Sequence, residues 1–270
     1  MDWQKIVLSE TDSTNRYVKE LAAAGAPEGT VVIANKQSAG RGRLGRSFFS
    51  PEEKGIYMSI LLRPDIELSK AVLITSMAAV AVARAIERIS GITAQIKWVN
   101  DIFLNKKKVC GILTEADFDA EWQALEYAVL GIGVNVGAMD FPEELKDIAT
   151  SVSNECGFSV EKERLIDEIL KELEQWYPTL WDGSFLAESR SRSILLGKEI
   201  TVIDETVPGG SYPAKAVDIN ELGNLIIERD GTMQVLNSGE VSIRFEQFLR
   251  KLILPLDSTL VICYTKVQIT

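Results

Sequence analysis

Three arginines alternate with three glycines in one short segment of the sequence, residues 38–46 (SAGRGRLGR). Glycine allows a backbone to approach a ligand closely, and the planar guanidinium group of arginine donates paired hydrogen bonds to a carboxylate or a phosphate. Because ordering arginine side chains costs conformational entropy, we expect this loop to order when an anion binds. The residue types therefore predict a site for a small anion.

Two other interpretations of this loop are open from the sequence. Residues 40–45 match the dinucleotide-binding pattern G-x-G-x-x-G, but that motif requires a helix to begin inside it so that the helix N-terminus meets the pyrophosphate. The following residues, 46–51 (RSFFSP), do not begin a helix, so the sequence disfavours a dinucleotide site. A solvated surface loop remains the alternative for this segment taken alone.

Three further segments place polar side chains and glycines near predicted strand ends: residues 97–101 (KWVND), 108–115 (KVCGILTE) and 131–136 (GIGVNV). Taken singly, they are explained by a hairpin turn, a solvated lysine at the start of a strand, and a β-bulge or close packing point. Together with the arginine loop they supply two cationic clamps, an oxygen ligand for Mg²⁺ and a glycine-lined slot. Activation of a carboxylate by ATP requires these parts.

Composition excludes several other kinds of chemistry. The chain of 270 residues contains no histidine, so Ser-His-Asp catalysis, Cys-His catalysis and imidazole metal ligands are excluded. A formal net charge of -10 disfavours nucleic-acid binding through phosphate neutralisation. Three widely spaced cysteines without a C-x-x-C pair indicate neither a disulfide framework nor a zinc site. We identify no targeting segment or membrane span, and therefore expect a cytoplasmic protein.

Periodicity and capping predict the elements that position these segments. The first is a short helix capped by Ser13 or Thr14. The next elements are a buried strand at 31–34, a strand at 55–62 and a largely apolar helix at 69–89 that ends at Gly91. The strand at 31–34 leads directly into the arginine loop, so the loop should leave from the edge of a sheet.

The rest of the chain predicts one shared sheet and then a separate β domain. Strands are predicted at 96–98, 102–104, 109–115 and 125–132, with turns at Asn100 to Asp101 and at 105–107. Strands joined this closely are antiparallel neighbours. A second long helix is predicted at 159–180, followed by short strands at 199–203, 214–219, 225–227 and 233–236. The spacing of these last strands is typical of a small β-barrel.

Five segments now occur in an order that resembles the biotin–protein ligases: 12–15 (DSTN), 37–46, 97–101, 108–115 and 131–135. The resemblance runs from Ser9 to about Phe245. It implies an α+β fold, with a class II aminoacyl-tRNA synthetase-like core of a mixed, largely antiparallel sheet flanked by helices, and a small C-terminal SH3-like β-barrel. The expected domains are a catalytic core at 1–190, the SH3-like domain at 191–248 and a tail at 249–270.

The resemblance also implies an activity and its substrates. Biotin–protein ligases activate biotin with ATP, in the presence of Mg²⁺, to biotinyl-5'-AMP and pyrophosphate. They then transfer biotin to a lysine of the biotin carboxyl carrier domain of a biotin-dependent carboxylase. By resemblance, the biotin site comprises Ser13, Thr14, Asn15, Gln37, Gly40, Arg41, Lys108, Gly111, Leu113, Gly131 and Gly133.

The other implied site residues act on the nucleotide and the reacting groups. The nucleotide site comprises Arg43, Arg46, Phe48, Lys97, Asn100 and Asn135, the catalytic residues are Lys108, Arg43 and Arg41, and Asp101 is a candidate metal ligand. Two positions depart from the family pattern, because Val99 stands where proline is usual and Phe48 where tryptophan is usual. We expect activity to be retained with an altered affinity for ATP.

Two alternatives to this function are open, and both concern related proteins. A lipoate or octanoate ligase shares the core and the acyl-adenylate chemistry, but its Arg-Arg-Ser/Thr-Gly-Gly-Gly type of loop has no match here. A non-catalytic biotin-binding relative is disfavoured by Arg43 and Lys108, which capture of a neutral ureido ring does not require. The helix-turn-helix of repressor members has no counterpart before Ser13, so we expect no DNA partner. Either a monomer or a homodimer is compatible with the sequence.

Overall fold

The structure, a computed structural model, describes residues 1–42, 48–119, 124–204, 207–237 and 242–245. Arg43, Arg46 and the predicted tail at 249–270 lie outside the described residues. The strands and helices up to residue 191 are β1 (Gln4–Leu8), α1 (Thr14–Ala23), β2 (Thr30–Ala34), β3 (Gly55–Leu62), α2 (Ala71–Ser90), β4 (Gln95–Lys97), β5 (Asp101–Leu104), β6 (Lys107–Asp119), β7 (Ala124–Asn135), α3 (Val152–Cys156), α4 (Lys162–Trp176) and α5 (Phe185–Ser191).

The central feature of the fold is a seven-stranded sheet with strand order β1-β2-β3-β7-β6-β5-β4. Strands β1 and β2 are parallel, and the other neighbouring pairs are antiparallel. Helix α1 packs on one face, where Val18 forms a small buried cluster with Leu61 and Val129. The apolar side chains of the other face pack against α2 and α4 in the large core. This mixed, largely antiparallel sheet confirms the predicted α+β class.

Helix α2 is buried because it is apolar around most of its circumference. Its first turn follows a 3-10 turn at Leu68–Lys70, so it begins at Ala71, two residues after the predicted start. Gly91 ends it as predicted, with a left-handed φ of 72° and a backbone N–H donated to the Glu87 carbonyl at 2.8 Å. Glycine adopts this conformation without steric cost.

Helix α4 packs against α2 through a buried acidic residue. Glu172 is 1% exposed, and its carboxylate lies 2.9 Å from Arg84 Nε and 2.6 Å from Arg88 Nη2.

The predicted helix at 159–180 was too long at both ends. The α-helix stops at Trp176 and continues as a 3-10 turn at Tyr177–Leu180, because Pro178 has no N–H to donate to a carbonyl of the preceding turn.

A second sheet follows α5, and it is antiparallel throughout. Its strands are β8 (Glu199–Ile203), β9 (Ser211–Ile219), β10 (Leu225–Arg229), β11 (Thr232–Leu236) and β12 (Ser242–Phe245), in the order β11-β10-β9-β8-β12. The turn between β9 and β10 contacts Trp98, the residue after β4 of the first sheet. The Trp98 indole N–H donates to the Gly223 carbonyl at 2.8 Å. This second sheet fits the predicted C-terminal β domain, whereas the boundaries at 190 and 248 stay predictions.

Several predicted strand boundaries were wrong. Strand β1 was not predicted at all, because it is a half-exposed edge strand without an apolar run. Strands β6 and β7 extend beyond the predicted 109–115 and 125–132, and Asp101 opens β5 instead of lying in a turn, because it pairs with Lys97 across a tight hairpin. Among the described residues, no helix combines the length and apolar character that crossing a membrane requires.

Candidate active site

Glycines form the floor of a slot on the face of the sheet that carries α1. Gly133 pairs with Tyr57 on β3 and Gly111 on β6, while Gly131 pairs with Ser59 and Leu113. Paired residues on neighbouring strands point to the same face, so these positions lie side by side. The absence of side chains at three of them lets the side chains of Asn15, Lys108 and Phe48 lie close to the sheet backbone, and the glycine-lined slot for a ligand stays a prediction.

At one end of this floor lies a buried polar cluster that joins α1 to the sheet. We name it the hydroxyl–amide cluster; its members are Thr14, Asn15, Gln37 and Ser59. Gln37 Oε1 accepts from the Thr14 backbone N–H at 2.9 Å and lies 3.1 Å from Thr14 Oγ1. Ser59 Oγ lies 2.7 Å from Thr14 Oγ1 and 2.6 Å from Asn15 Oδ1. Except for the half-buried Gln37, all its members are buried.

Glu115 fixes the orientation of the Asn15 amide in this cluster. Asn15 Nδ2 donates to Glu115 Oε2 at 2.7 Å and to the Leu113 carbonyl at 3.3 Å. Lys19 Nζ lies 2.6 Å from the other carboxylate oxygen. Burial raises the pKa of the Glu115 carboxyl, but hydrogen bonds from Lys19 and Asn15, aided by the charges of Lys19 and Arg41, outweigh burial and hold that pKa below its ordinary value. Glu115 is therefore an ionised acceptor at neutral pH.

We expect the stabilisation by Lys19 to disappear in acid. A carboxyl whose folded pKa is lowered stabilises the fold above its unfolded pKa of about 4.3, and loses that contribution as pH falls through the folded value. Replacing Lys19 by methionine should reduce the free energy of unfolding by about 0.5–1 kcal/mol at pH 7, because the lysine is partly exposed. Urea unfolding from pH 7 to pH 3 should show this difference shrinking below about pH 4.

Lys5→Met is the matched control for that measurement. Lys5 has the same 40% side-chain exposure as Lys19 and lies 2.6 Å from Asp167 Oδ1, but Asp167 is 67% exposed, whereas Glu115 is 23% exposed. Solvent screens such a pair, so its removal should change stability by less than the removal of Lys19. Equal losses for the two variants, or a Lys19→Met loss that persists at pH 3, would contradict the assignment.

At the other end of the floor, a β-bulge brings Lys108 onto the glycine face. The pairing of β5 with β6 shifts between Ile102 and Phe103, so that Val109 has no partner. Such a bulge turns the neighbouring side chain. A methyl group on Gly111 would place its Cβ 3.2 Å from Lys108 Nζ, so the ammonium group lies directly over that glycine.

Lys108 is held by contacts of both its side chain and its backbone. Its Nζ lies 2.7 Å from Asp101 Oδ1, which also accepts from Asn100 Nδ2 at 3.1 Å. Its backbone N–H donates to the Ile148 carbonyl at 2.9 Å, and its carbonyl accepts from the Thr150 N–H at 2.9 Å. The cation is therefore positioned before any ligand arrives.

Asn135 is hydrogen-bonded to Thr150, the residue that also contacts the Lys108 backbone. Its Nδ2 donates to the Thr150 carbonyl at 3.1 Å, while its Oδ1 is buried without a hydrogen-bond partner. Position 135 continues the alternation of Gly131 and Gly133, so the amide lies on the glycine face of β7. A buried unpaired amide oxygen is a ready acceptor or cation ligand.

Phe48 covers the floor. A methyl group on Gly133 would place its Cβ 2.7 Å from Phe48 Cε1, and one on Gly111 would lie 3.3 Å from Phe48 Cε2. The ring also packs edge-on to Tyr57, with centroids 6.5 Å apart. The predicted stacking of Phe48 on adenine stays a prediction; the structure places the ring over the slot beside Lys108.

The two stems of the arginine loop meet at Gly40. The Phe48 N–H donates to the Gly40 carbonyl at 3.0 Å, and Ser50 Oγ donates to the Phe48 carbonyl at 2.9 Å. A Cβ on Gly40 would lie 2.6 Å from Ser50 Oγ, so glycine is required at this close approach. Gln37 Nε2 also reaches Ser50 Oγ at 3.4 Å, which links the loop base to the hydroxyl–amide cluster.

Five predicted site residues remain to be placed. Arg41 is exposed, and its charge acts on Glu115. Lys97 pairs with Asp101 at the start of β5, beside the Lys108 ion pair. Ser13 is buried at the start of α1, and its hydroxyl makes no capping hydrogen bond with that helix. Arg43 and Arg46 lie outside the described residues.

Sequence reasoning missed Ser59, Glu115 and Ser50 as members of this site. Ser59 carried a weak signal, because it is the one short hydroxyl-bearing residue in a strand of otherwise apolar and aromatic residues, GIYMSILL. Glu115 ended a segment that was singled out, but nothing in the sequence related it to Asn15, a hundred residues earlier. The packing of α1 on the sheet brings Asn15 to Ser59 and Glu115.

The arrangement suits an elongated carboxylic acid. One end of the glycine floor carries buried amide and hydroxyl groups that could pair with a polar head, and the other end carries the Lys108 ammonium group, which could pair with a carboxylate, with the Phe48 ring over Gly133 and Gly111. Among the described residues, no three acidic, cysteine or histidine side chains form a metal site of their own.

Comparison with known proteins agrees with this geometry. Residues 7–135 match the model of the biotin/lipoate A/B protein ligase family, and residues 195–244 match the biotin protein ligase C terminal domain. The bifunctional ligase/repressor BirA of Bacillus subtilis is 41% identical over 234 residues, which cover 86% of this chain and 71% of that protein. A biotin--[acetyl-CoA-carboxylase] ligase of Mycobacterium tuberculosis is 30% identical, over 88% of this chain and 89% of that protein.

A solved structure extends the comparison to three dimensions. The biotin protein ligase from Aquifex aeolicus in complex with biotin and ATP superposes with a TM-score of 0.75 and 30% identity, and the match covers 89% of this chain and 98% of that one. The chain belongs to the biotin protein ligase family.

Proposed function

We propose that the chain activates biotin with ATP and then transfers the biotinyl group to a lysine of a carrier protein. In the first step, a carboxylate oxygen of biotin attacks the α-phosphorus of ATP, and the bond from that phosphorus to pyrophosphate breaks. In the second step, the lysine amine attacks the carbonyl carbon of biotinyl-5'-AMP, AMP leaves, and the amine releases a proton. The product is an amide.

One observation carries this proposal: Lys108 lies over Gly111, with the hydroxyl–amide cluster at the far end of the same glycine floor. A ligand whose polar head binds that cluster would present its carboxylate to the ammonium group. Charge grows on the carboxylate and α-phosphate oxygens during the transfer, and a fixed cation stabilises it. The pairing with Asp101 holds the cation in place.

Mg²⁺ supplies charge neutralisation on the ATP phosphates in such reactions, and the residues present fit a metal that arrives with the nucleotide. The buried Asn135 Oδ1 has no partner, and Asp101 offers a carboxylate oxygen on the same face. Two protein oxygens are a common contribution to Mg²⁺, which otherwise keeps water and phosphate ligands. Asn135 would bind the ion, and Asp101, one oxygen of which contacts Lys108, would offer its other oxygen as the second ligand.

The proposed roles of the other residues follow their positions. Phe48 and Lys97 would contact the nucleotide, and Arg41, with Arg43 and Arg46, would restrain the reactive adenylate. The proposed acceptor is a biotin carboxyl carrier domain, which is the class of protein implied by the names of the biotin--[acetyl-CoA-carboxylase] ligases among the relatives. The cytoplasmic location, the absence of a DNA partner and the choice between monomer and homodimer stay predictions.

Exchange of labelled pyrophosphate into ATP tests the first step without an acceptor. With Mg²⁺ present, exchange should depend on biotin and should be absent with lipoic or octanoic acid. Exchange supported by lipoic acid instead would identify a lipoate ligase. Biotin binding without exchange would identify a non-catalytic relative and would overturn the proposed activity.

A further inference from the structure

The Phe48 ring rests directly on two paired glycines of the floor. Gly111 on β6 and Gly133 on β7 face each other in the register of these strands. A Cβ added to Gly133 would lie 2.7 Å from Phe48 Cε1 and 2.8 Å from Phe48 Cζ, and one added to Gly111 would lie 3.3 Å from Phe48 Cε2. The ring therefore fills the space that the missing side chains of these glycines leave above the sheet. We call this the seated position of the ring.

The seated ring lies between the two ends of the proposed site. A Cβ on Gly111 would also lie 3.2 Å from Lys108 Nζ, so the edge of the ring and the ammonium group meet over one glycine. In the other direction, Gly131 follows Gly133 on the same face of β7 and leads to the hydroxyl–amide cluster. A ligand that joins the cluster to the ammonium group along this floor must cross Gly133. Two groups cannot fill one volume in a close-packed site, so the ligand chain and the seated ring exclude each other.

The backbone of Phe48 is fixed, whereas its ring can rotate. The backbone N–H donates to the Gly40 carbonyl at 3.0 Å, and the carbonyl accepts from Ser50 Oγ at 2.9 Å. The ring packs edge-on to Tyr57, which is 1% exposed and whose hydroxyl donates to the Pro51 carbonyl at 2.7 Å. The Phe48 side chain itself is only half-buried. Rotation about its Cα–Cβ bond can therefore lift the ring from the floor without moving these backbone contacts, and rotations of this kind are fast.

We propose that Phe48 is an access gate: the seated ring blocks the floor, and biotin enters those molecules in which the ring has rotated away. The proposal rests on the proposed function and adds a role in ligand entry to the nucleotide contact proposed for this residue. Because the rotation is fast, the association rate is reduced in proportion to the fraction of molecules whose ring is unseated. A ring that only covered a bound ligand would slow release and leave entry unchanged. The two roles therefore change different rate constants.

Replacing Phe48 by alanine should raise the association rate constant for biotin by about 10-fold, because the floor is then open in every molecule. A tenfold change corresponds to about 1.4 kcal/mol in favour of the seated ring. This is less than the full burial of a phenylalanine side chain contributes, as expected for a half-buried ring. Rapid mixing with radiolabelled biotin followed by filtration measures association, and a chase with unlabelled biotin measures release.

Phe49→Ala is the matched control. Phe49 is the next residue of the same stem, it is 38% exposed, and its ring packs against Phe141 with centroids 6.2 Å apart. The substitution removes the same kind of ring from the same stem, but not from the floor. We expect its association rate for biotin to stay within about twofold of wild type.

Melting temperatures of both variants show whether the fold is retained. If Phe48→Ala loses its cooperative thermal transition, Phe48→Leu takes its place, because leucine keeps an apolar contact with Tyr57 but lacks the ring. Its association rate should rise in the same direction by a smaller factor.

Three results would overturn the gate. The first is an unchanged association rate in Phe48→Ala, with or without faster release, because the ring would then act only as a cover. The second is an equal rise in Phe48→Ala and Phe49→Ala, which would attribute the effect to loosening of the stem. The third is an absence of biotin binding in wild type and in both variants, which would overturn the proposed function and the gate together. Biotin binding by all three proteins with equal association rates would overturn the gate and leave the proposed function standing.

Discussion

Replacing Lys108 by methionine is expected to slow biotin-dependent exchange of pyrophosphate into ATP by about 10²–10³-fold, the usual cost of losing one preorganised donor at a transition state. Methionine keeps the length of the side chain, so the variant removes charge with little change in packing. The bulge at Val109 places the ammonium over the slot, and its contact with Asp101 keeps it there. The effect should fall on kcat for adenylation more than on biotin affinity, because charge grows during the reaction.

Lys107→Met is the control for that measurement. Lys107 is the neighbouring residue of β6, and its Nζ donates to the Lys146 carbonyl at 2.8 Å on the exposed surface. It precedes the bulge and does not lie over the glycine floor, so exchange should stay within about twofold of wild type. A Lys108→Met enzyme that also stays within that range would contradict the role assigned to the ammonium group.

Replacing Gly131 by alanine should weaken biotin binding by about 10- to 100-fold. The new Cβ would lie 2.1 Å from Asn15 Oδ1 and 2.9 Å from Asn15 Cγ. Asn15 cannot yield easily, because Glu115 and Leu113 hold its amide group. Overpacking of this kind costs about 1–3 kcal/mol, and here the displaced group belongs to the binding site.

Calorimetric titration with biotin measures this effect, and Gly137→Ala is its control. Gly137 follows β7, and its nearest contact for a new Cβ is 3.5 Å away, on the flexible side chain of Lys54. That substitution should leave affinity unchanged. Normal biotin binding by Gly131→Ala would show that biotin does not bind beside Gly131 and Asn15. It would contradict the assignment of the glycine floor to the biotin site.

Much of the sheet could be predicted from short-range patterns. The strands at 31–34 and 55–62 are buried on both faces, so they appear in the sequence as continuous apolar runs. The segments from 95 to 135 are joined by tight turns, and their antiparallel pairing follows from that spacing. Strand β1 was not predictable in this way, because its partner β2 lies beyond a helix and its side chains alternate between exposed and half-buried.

The site was predictable only in part, for a related reason. Gly111, Gly131 and Gly133 were singled out because glycine in a strand allows a close backbone approach, and their place in a biotin site was implied by the family resemblance. The position of Lys108 could not be derived, because the alternation of β6 would place it on the opposite face from Gly111 without the bulge. The hydroxyl–amide cluster and its link to Glu115 depend on contacts between residues 14 and 59 and between 15 and 115, which no local pattern encodes.

The contact between Trp98 and Gly223 couples the segment at 97–101 to the docking of the second sheet. The turn that carries Gly223 is rigid, because Asn220 Oδ1 accepts from the backbone N–H groups of Leu222 and Asn224. Linkage is reciprocal: a ligand that requires Trp98 in this position stabilises docking of the second sheet by the same free energy that docking adds to the ligand's binding. For such a ligand, occupancy of its site and docking of the second sheet would be measured by the same equilibrium.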